Sequence, residues 1–92
     1  MKPRRKVAKD FLREATLTDF WDVVREAKLT TADCRVLDAR FIEGKTIVEI
    51  SMEYGYSIEK VNKIISTAYD RIYKLFSRRS NWNIFRTLLR YF

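Results

Sequence analysis

The stretch from Thr46 to about Ser66 limits this chain more than any other, because TIVEISMEYGYSIEKVNKIIS sets a glycine between two segments of helical periodicity, each opened by a capping residue. Thr46 followed three residues later by Glu49 is the reciprocal pair that satisfies two orphan amide donors at a helix start. Ile47, Ile50 and Tyr54 then form an apolar face. Gly55 falls where the turn needs positive φ, and Ser57 opens a second helix. Val61, Ile64, Ile65, Ala68, Ile72, Leu75 and Phe76 carry that helix as one apolar stripe to about Ser77. Helices joined in this way cross steeply, with Tyr56, Val61 and Ile64 packed against Ile47, Ile50 and Tyr54. Ser51 takes the closest approach, where a small side chain is required. The segment therefore predicts a helix-turn-helix.

The remaining residues predict an all-α fold: there are only two glycines and one proline, and strand-like alternation is hard to find. The expectation is one domain over 1–92, a compact bundle of about five helices. It has a basic arm at 1–6, a helix-turn-helix core at 30–77 and an amphipathic C-terminal helix at 81–92. Within 7–15, Val7, Phe11, Leu12 and Ala15 share a face. Thr18 caps a helix bearing Phe20, Val23, Val24 and Ala27 that ends near Lys28 and Leu29. Thr30 with Asp33 starts the next, which presents Cys34, Leu37 and Phe41 with Val36 and Ile42 alongside and stops at Gly44. The last segment offers Trp82, Phe85, Leu88, Leu89 and Phe92, an aromatic face that can fold back on the core, pair with a second subunit or lie on a membrane, the first two being favoured.

Histidine is absent and Cys34 is the single cysteine, so disulfide frameworks and common zinc sites are excluded and no metal or cofactor is expected. With no glycine-rich phosphate loop and no carboxylate cluster of ligand spacing, the chain is not expected to be an enzyme. Cys34 and the tyrosines at 54, 56, 69 and 73 read as packing groups. No leader and no membrane span are visible, so a soluble, cytoplasmic protein is expected.

The net charge of +7 and pI near 9.8 favour a polyanionic partner. Residues 1–10 hold five basic side chains against Asp10 alone, residues 71–92 hold six and no acid, and the stretch between is net acidic. Advancing about 100° per residue from Val61 places Glu59, Lys63, Ser66 and Asp70 opposite the buried stripe, flanked by Lys60, Asn62 and Thr67. Such a face can read base edges in a major groove: Asn pairs with adenine, Glu accepts from cytosine, and Lys serves guanine or phosphate. The expected contacts to double-stranded DNA are Ser57, Glu59, Lys60, Asn62, Lys63, Ser66 and Thr67. Thr46 and Lys45 join them at the first helix of the motif, as do Arg4, Arg5 and Lys6 in the arm and Arg78 and Arg79 past the long helix. A solvated tail accounts for the arm as well, and a surface turn for Arg78 and Arg79.

From Leu29 to about Tyr73 the chain resembles region 4 of bacterial sigma factors. The resemblance rests on L-T at Leu29, R-V-L at Arg35 to Leu37, Gly44, Thr46, E-I-S at Glu49 to Ser51, Y-G-Y-S at Tyr54 to Ser57, Val61 and Ala68. Ser51 stands where alanine is usual, and nothing matches the sigma region that opens the −10 element. Among stand-alone proteins the chain is similar in kind to small plasmid and fimbrial regulators of the KorA/TrfB and PapB type. That resemblance implies a self-associating DNA-binding regulator, a repressor of a plasmid, phage or pilus-type operon. It makes Ser57, Glu59, Lys60, Asn62, Lys63 and Ser66 the DNA-facing set. The rival expectation is a sigma-like module that docks on RNA polymerase or another regulator.

Overall fold

Capping chemistry sets where most of the helices begin. The computed structural model describes residues 3–78 and 82–91, and among them the chain forms six α-helices and no strand. They are α1 (Pro3–Glu14), α2 (Leu17–Glu26), α3 (Thr31–Leu37), α4 (Ile47–Tyr54), α5 (Ile58–Arg78) and α6 (Trp82–Leu89). The expected all-α bundle is thus present.

Helix α1 starts at Pro3, whose fixed φ and missing N–H suit a first helical position, so the chain from residue 3 to Lys6 is helical and not a free arm. The deepest residue of its face is Ala8, with Phe11 and Leu12; Val7 is only half-buried. Helix α2 is capped by Thr16 in place of the expected Thr18, the Asp19 amide donating to Thr16 Oγ1 at 3.2 Å. Either threonine could cap in isolation. A distant contact decides between them: the Thr16 amide donates to the Tyr91 hydroxyl at 3.3 Å.

Thr30 caps α3 as expected, accepting from the Asp33 amide at 3.2 Å. Helix α3 then widens into a π-helical turn over Asp38–Ile42, closed by the Glu43 amide donating to the Asp38 carbonyl at 3.0 Å. The extra residue rotates the following side chains. Ala39 becomes fully buried, and Ile42, expected on the apolar side, is turned out to solvent. Gly44, at φ 75°, ends the turn.

The core gathers around α5. Val61, Ile65, Ala68 and Ile72 bury against Ala8, Phe11 and Leu12 of α1, Val23 and Val24 of α2, Val36 and Leu37 of α3, and Ile50 of α4. Cys34 is half-buried against this cluster, and burial together with Asp33 pushes its thiol pKa up, the signature of a packing group. The C-terminal segment folds back: Ile84, Phe85 and Leu88 are buried, Phe85 stacks on Phe76 at 5.2 Å, and Tyr91 meets Phe11 edge-on at 4.9 Å. The Tyr91 hydroxyl donates to Asp19 Oδ2 at 2.7 Å. Trp82 and Leu89 remain exposed, and Phe92 lies outside the described residues. No helix among the described residues is long and apolar enough to cross a membrane.

Candidate nucleic-acid interface

Helices α4 and α5 are held by local hydrogen bonds that the sequence pattern foretold. Thr46 Oγ1 accepts from the Glu49 amide at 3.1 Å while Glu49 Oε1 accepts from the Thr46 amide at 3.0 Å. Hydrogen bonding from the Thr46 amide, and after it from the Thr46 side chain, holds the Glu49 carboxyl below its ordinary pKa. Gly55, at φ 70°, terminates α4 in the left-handed region, and Ser57 Oγ caps α5 by accepting from the Lys60 amide at 3.0 Å.

Ser51, at the closest approach of the two helices, ties the turn from both sides. Its hydroxyl donates to the Tyr56 carbonyl, and its own carbonyl accepts from the Tyr56 amide at 3.1 Å. Removing the hydroxyl leaves the Tyr56 carbonyl without that donor. Ser51→Ala should therefore lower stability by about 1 kcal/mol, read as a fall in Tm of roughly 4–8 °C for a domain of this size. An unchanged Tm would show that water replaces the hydroxyl without loss.

The first two turns of α5 present Ser57, Glu59, Lys60, Asn62 and Lys63 to solvent. Lys60 leans over the Tyr56 ring, its Nζ 4.2 Å from the centroid. Ser66, Thr67 and Asp70, expected on the same free face, are half-buried, because α5 is flanked on both sides beyond its second turn. The face is divided between two open grooves. One, of about 550 Å³, is lined by Ser57, Glu59, Lys60, Lys63 and Thr67 with Asp33 of α3. The other, of about 560 Å³, is lined by Asn62 and Ser66 together with Lys9 and Arg13 of α1, Arg40 of the π-helical turn and Tyr69. The first groove mixes two cations with two acids, whereas the second holds three cations and no acid.

At the start of α4, Thr46 is exposed, its hydroxyl oxygen serving as the cap acceptor. Lys45 is differently placed from the free phosphate contact expected of it. Its Nζ pairs with Glu53 and, at 3.5 Å, with Glu43, and the Glu53 hydrogen bond raises its pKa. Lys6 is exposed on α1. The side chains of Arg4, Arg5 and Arg78 and the whole of Arg79 lie outside the described residues.

Lys9, Arg13 and Arg40 escaped the sequence reading. Arg13 and Arg40 sit in the net acidic middle of the chain, and only the docking of α1 beside α5 brings them to one place. The signal available was the i,i+4 pair Lys9 and Arg13, on a helix whose other face is apolar. Among the described residues no group of three or more His, Cys, Asp or Glu side chains is placed to hold a metal ion.

Comparison with known proteins agrees with this geometry. The family model of sigma-70, region 4 matches residues 27–74, from the end of α2 through most of α5 and more than half of the chain. No curated protein and no solved structure matches the chain. Helix α1 and helix α6 lie outside the matched segment. The chain belongs to the sigma-70 region 4 family, and the two helices joined at Gly55 are its DNA-binding helix-turn-helix.

Proposed function

We propose that this protein reads duplex DNA sequence-specifically through Ser57, Glu59, Lys60, Asn62 and Lys63 and regulates transcription as a cytoplasmic, homodimeric repressor. One observation carries the reading: the first two turns of α5 are polar, exposed and fixed in direction by capped helices and a doubly bonded turn. Asn62 and Glu59 carry the chemistry for base edges, and Lys60 and Lys63 that for guanine or phosphate. Thr46, Ser66, Thr67, Lys6, Arg4, Arg5, Arg78 and Arg79 are assigned to the backbone, which positions a reading helix without specifying sequence. Lys45 braces the start of α4 through its two acidic partners and adds little net charge to the interface. The exposed Trp82 and Leu89 of α6 supply apolar surface for a second subunit.

Selection of bound sequences from a random duplex pool tests this. A recovered consensus with two-fold symmetry is expected, since a symmetric dimer reads a symmetric site. Salt dependence separates the second reading, docking on RNA polymerase or another regulator, which is favoured by Val48 and Met52, 52% and 79% exposed and four residues apart on α4. With six or more phosphate contacts, DNA affinity should fall about a thousandfold between low and physiological salt, whereas an apolar protein contact should barely respond. No enrichment from the pool would reject the DNA reading.

A further inference from the structure

Helix α1 lies outside the segment matched by the family, yet it packs more extensively on α5 than any other element does. Its buried face is Ala8, Phe11 and Leu12, and this fixes where the neighbouring Lys9 and Arg13 stand: one turn apart, on the wall of the groove whose opposite wall is Asn62 and Ser66 of α5. Arg40 closes the groove from the π-helical turn and spends one guanidinium N–H on the Lys45 carbonyl at 3.1 Å. Both Arg13 and Arg40 lie near enough to the Tyr69 hydroxyl to act on its ionisation.

The charge arrangement is the informative part. Among the described residues Arg25 pairs with Asp22, Lys45 with Glu43 and Glu53, and Arg90 with Asp19, while exposed cations such as Lys60 and Lys63 stand without a carboxylate. What sets this groove apart is that three cations line it together with no acid. Among the described residues no carboxylate pairs with Lys9, Arg13 or Arg40, although the chain has twelve acids to draw on. Three like charges around one groove repel one another and are relieved by an anion. The hydroxyls of Ser66 and Tyr69 add neutral donors on the same wall.

We propose that this groove is a phosphate clamp, in which Lys9 and Arg13 of α1, with Arg40, grip the phosphodiester backbone of the DNA strand bordering the major groove that α5 enters. The inference rests on the DNA reading above and extends it to a helix outside the family segment. Asn62 provides the continuity: it stands both on the exposed first turns of α5 and at the groove, so the strand flanking the bases it faces runs toward the three cations. The occupant is a strand and not a free anion, because the groove is open along one side of α5 and its cations come from two separate elements. The clamp adds grip and leaves sequence choice to α5.

The double substitution Lys9→Gln with Arg13→Gln tests the clamp, with Lys9→Arg and Arg13→Lys as charge-keeping controls and circular dichroism to establish that each variant folds. Fluorescence anisotropy on the duplex selected by wild-type protein should show the double variant weakened about ten- to a hundredfold at physiological salt, with a log–log salt slope shallower by about two. The weakening should be equal on selected and scrambled duplexes, and the controls should stay near wild type. An unchanged slope and affinity in the folded double variant would overturn the clamp while leaving the α5 reading intact. A loss confined to the selected duplex would also overturn it, since that marks base reading. If wild-type protein binds no duplex at all, the DNA reading fails and the clamp falls with it.

Discussion

Phe11→Ala should cost this protein about 3–5 kcal/mol of stability, the range for deleting a buried aromatic ring from a core that cannot collapse around the space. Phe11 has no exposed surface, sits on α1 and receives the Tyr91 ring edge-on. Its removal therefore loosens two helices at once: α1, which has no other aromatic residue, and the C-terminal segment, whose Tyr91 hydroxyl reaches Asp19 and the Thr16 cap. Against a total of about 5–15 kcal/mol for a domain of this kind, the loss is a large fraction of the whole. Denaturant unfolding followed by circular dichroism should show the midpoint drop sharply. A loss below about 1 kcal/mol would mean that α1 is dispensable packing and that residues 27–74 fold without it.

The Phe11 result bears on how much of the molecule could be read from its residues. Thr46, Glu49, Gly55 and Ser57 announced the helix-turn-helix because their effect is local: each satisfies a backbone group within five residues or supplies a conformation that other residues resist. The apolar stripe of α5 was legible for the same reason, as a period that needs no partner to be recognised.

What was illegible depended on distance or on a change of period. The π-helical turn inserts one residue that no composition signal marks, which is why Ile42 faces solvent and Ala39 the core. Thr16 prevails over Thr18 through a hydroxyl 75 residues away. Lys45 looked like a free cation until the fold brought Glu53 to it. The candidate site was legible on α5 and illegible on α1, since helical spacing places Lys63 and Glu59 opposite Val61 but says nothing of which helix will dock beside Ser66. Lys9 was legible as a residue of the helix over 7–15 but not as part of a site, and the fold places it in a groove wall.

The second large effect belongs to α5. Substituting Lys60, Asn62 and Lys63 together by alanine removes three exposed side chains that lie outside the core. The fold should survive, since the change takes away only the attraction between the Lys60 ammonium and the Tyr56 ring. Alanine also favours the helix over the asparagine it replaces, which offsets part of that destabilisation. If the three side chains meet one base edge and two phosphates or guanines, their removal should cost roughly 3–4 kcal/mol of binding, on the order of a hundred- to a thousandfold. Part of the loss should be sequence preference, the Asn62 share, and part a uniform weakening with a shallower salt slope, the lysine share.

Anisotropy of the folded triple variant on the duplex selected by wild-type protein is the most direct measurement. The account predicts affinity reduced at least a hundredfold, with little discrimination left between selected and scrambled sequence. A folded triple variant that bound the selected duplex as tightly as wild type would contradict it, because α5 would then not be the helix that reads.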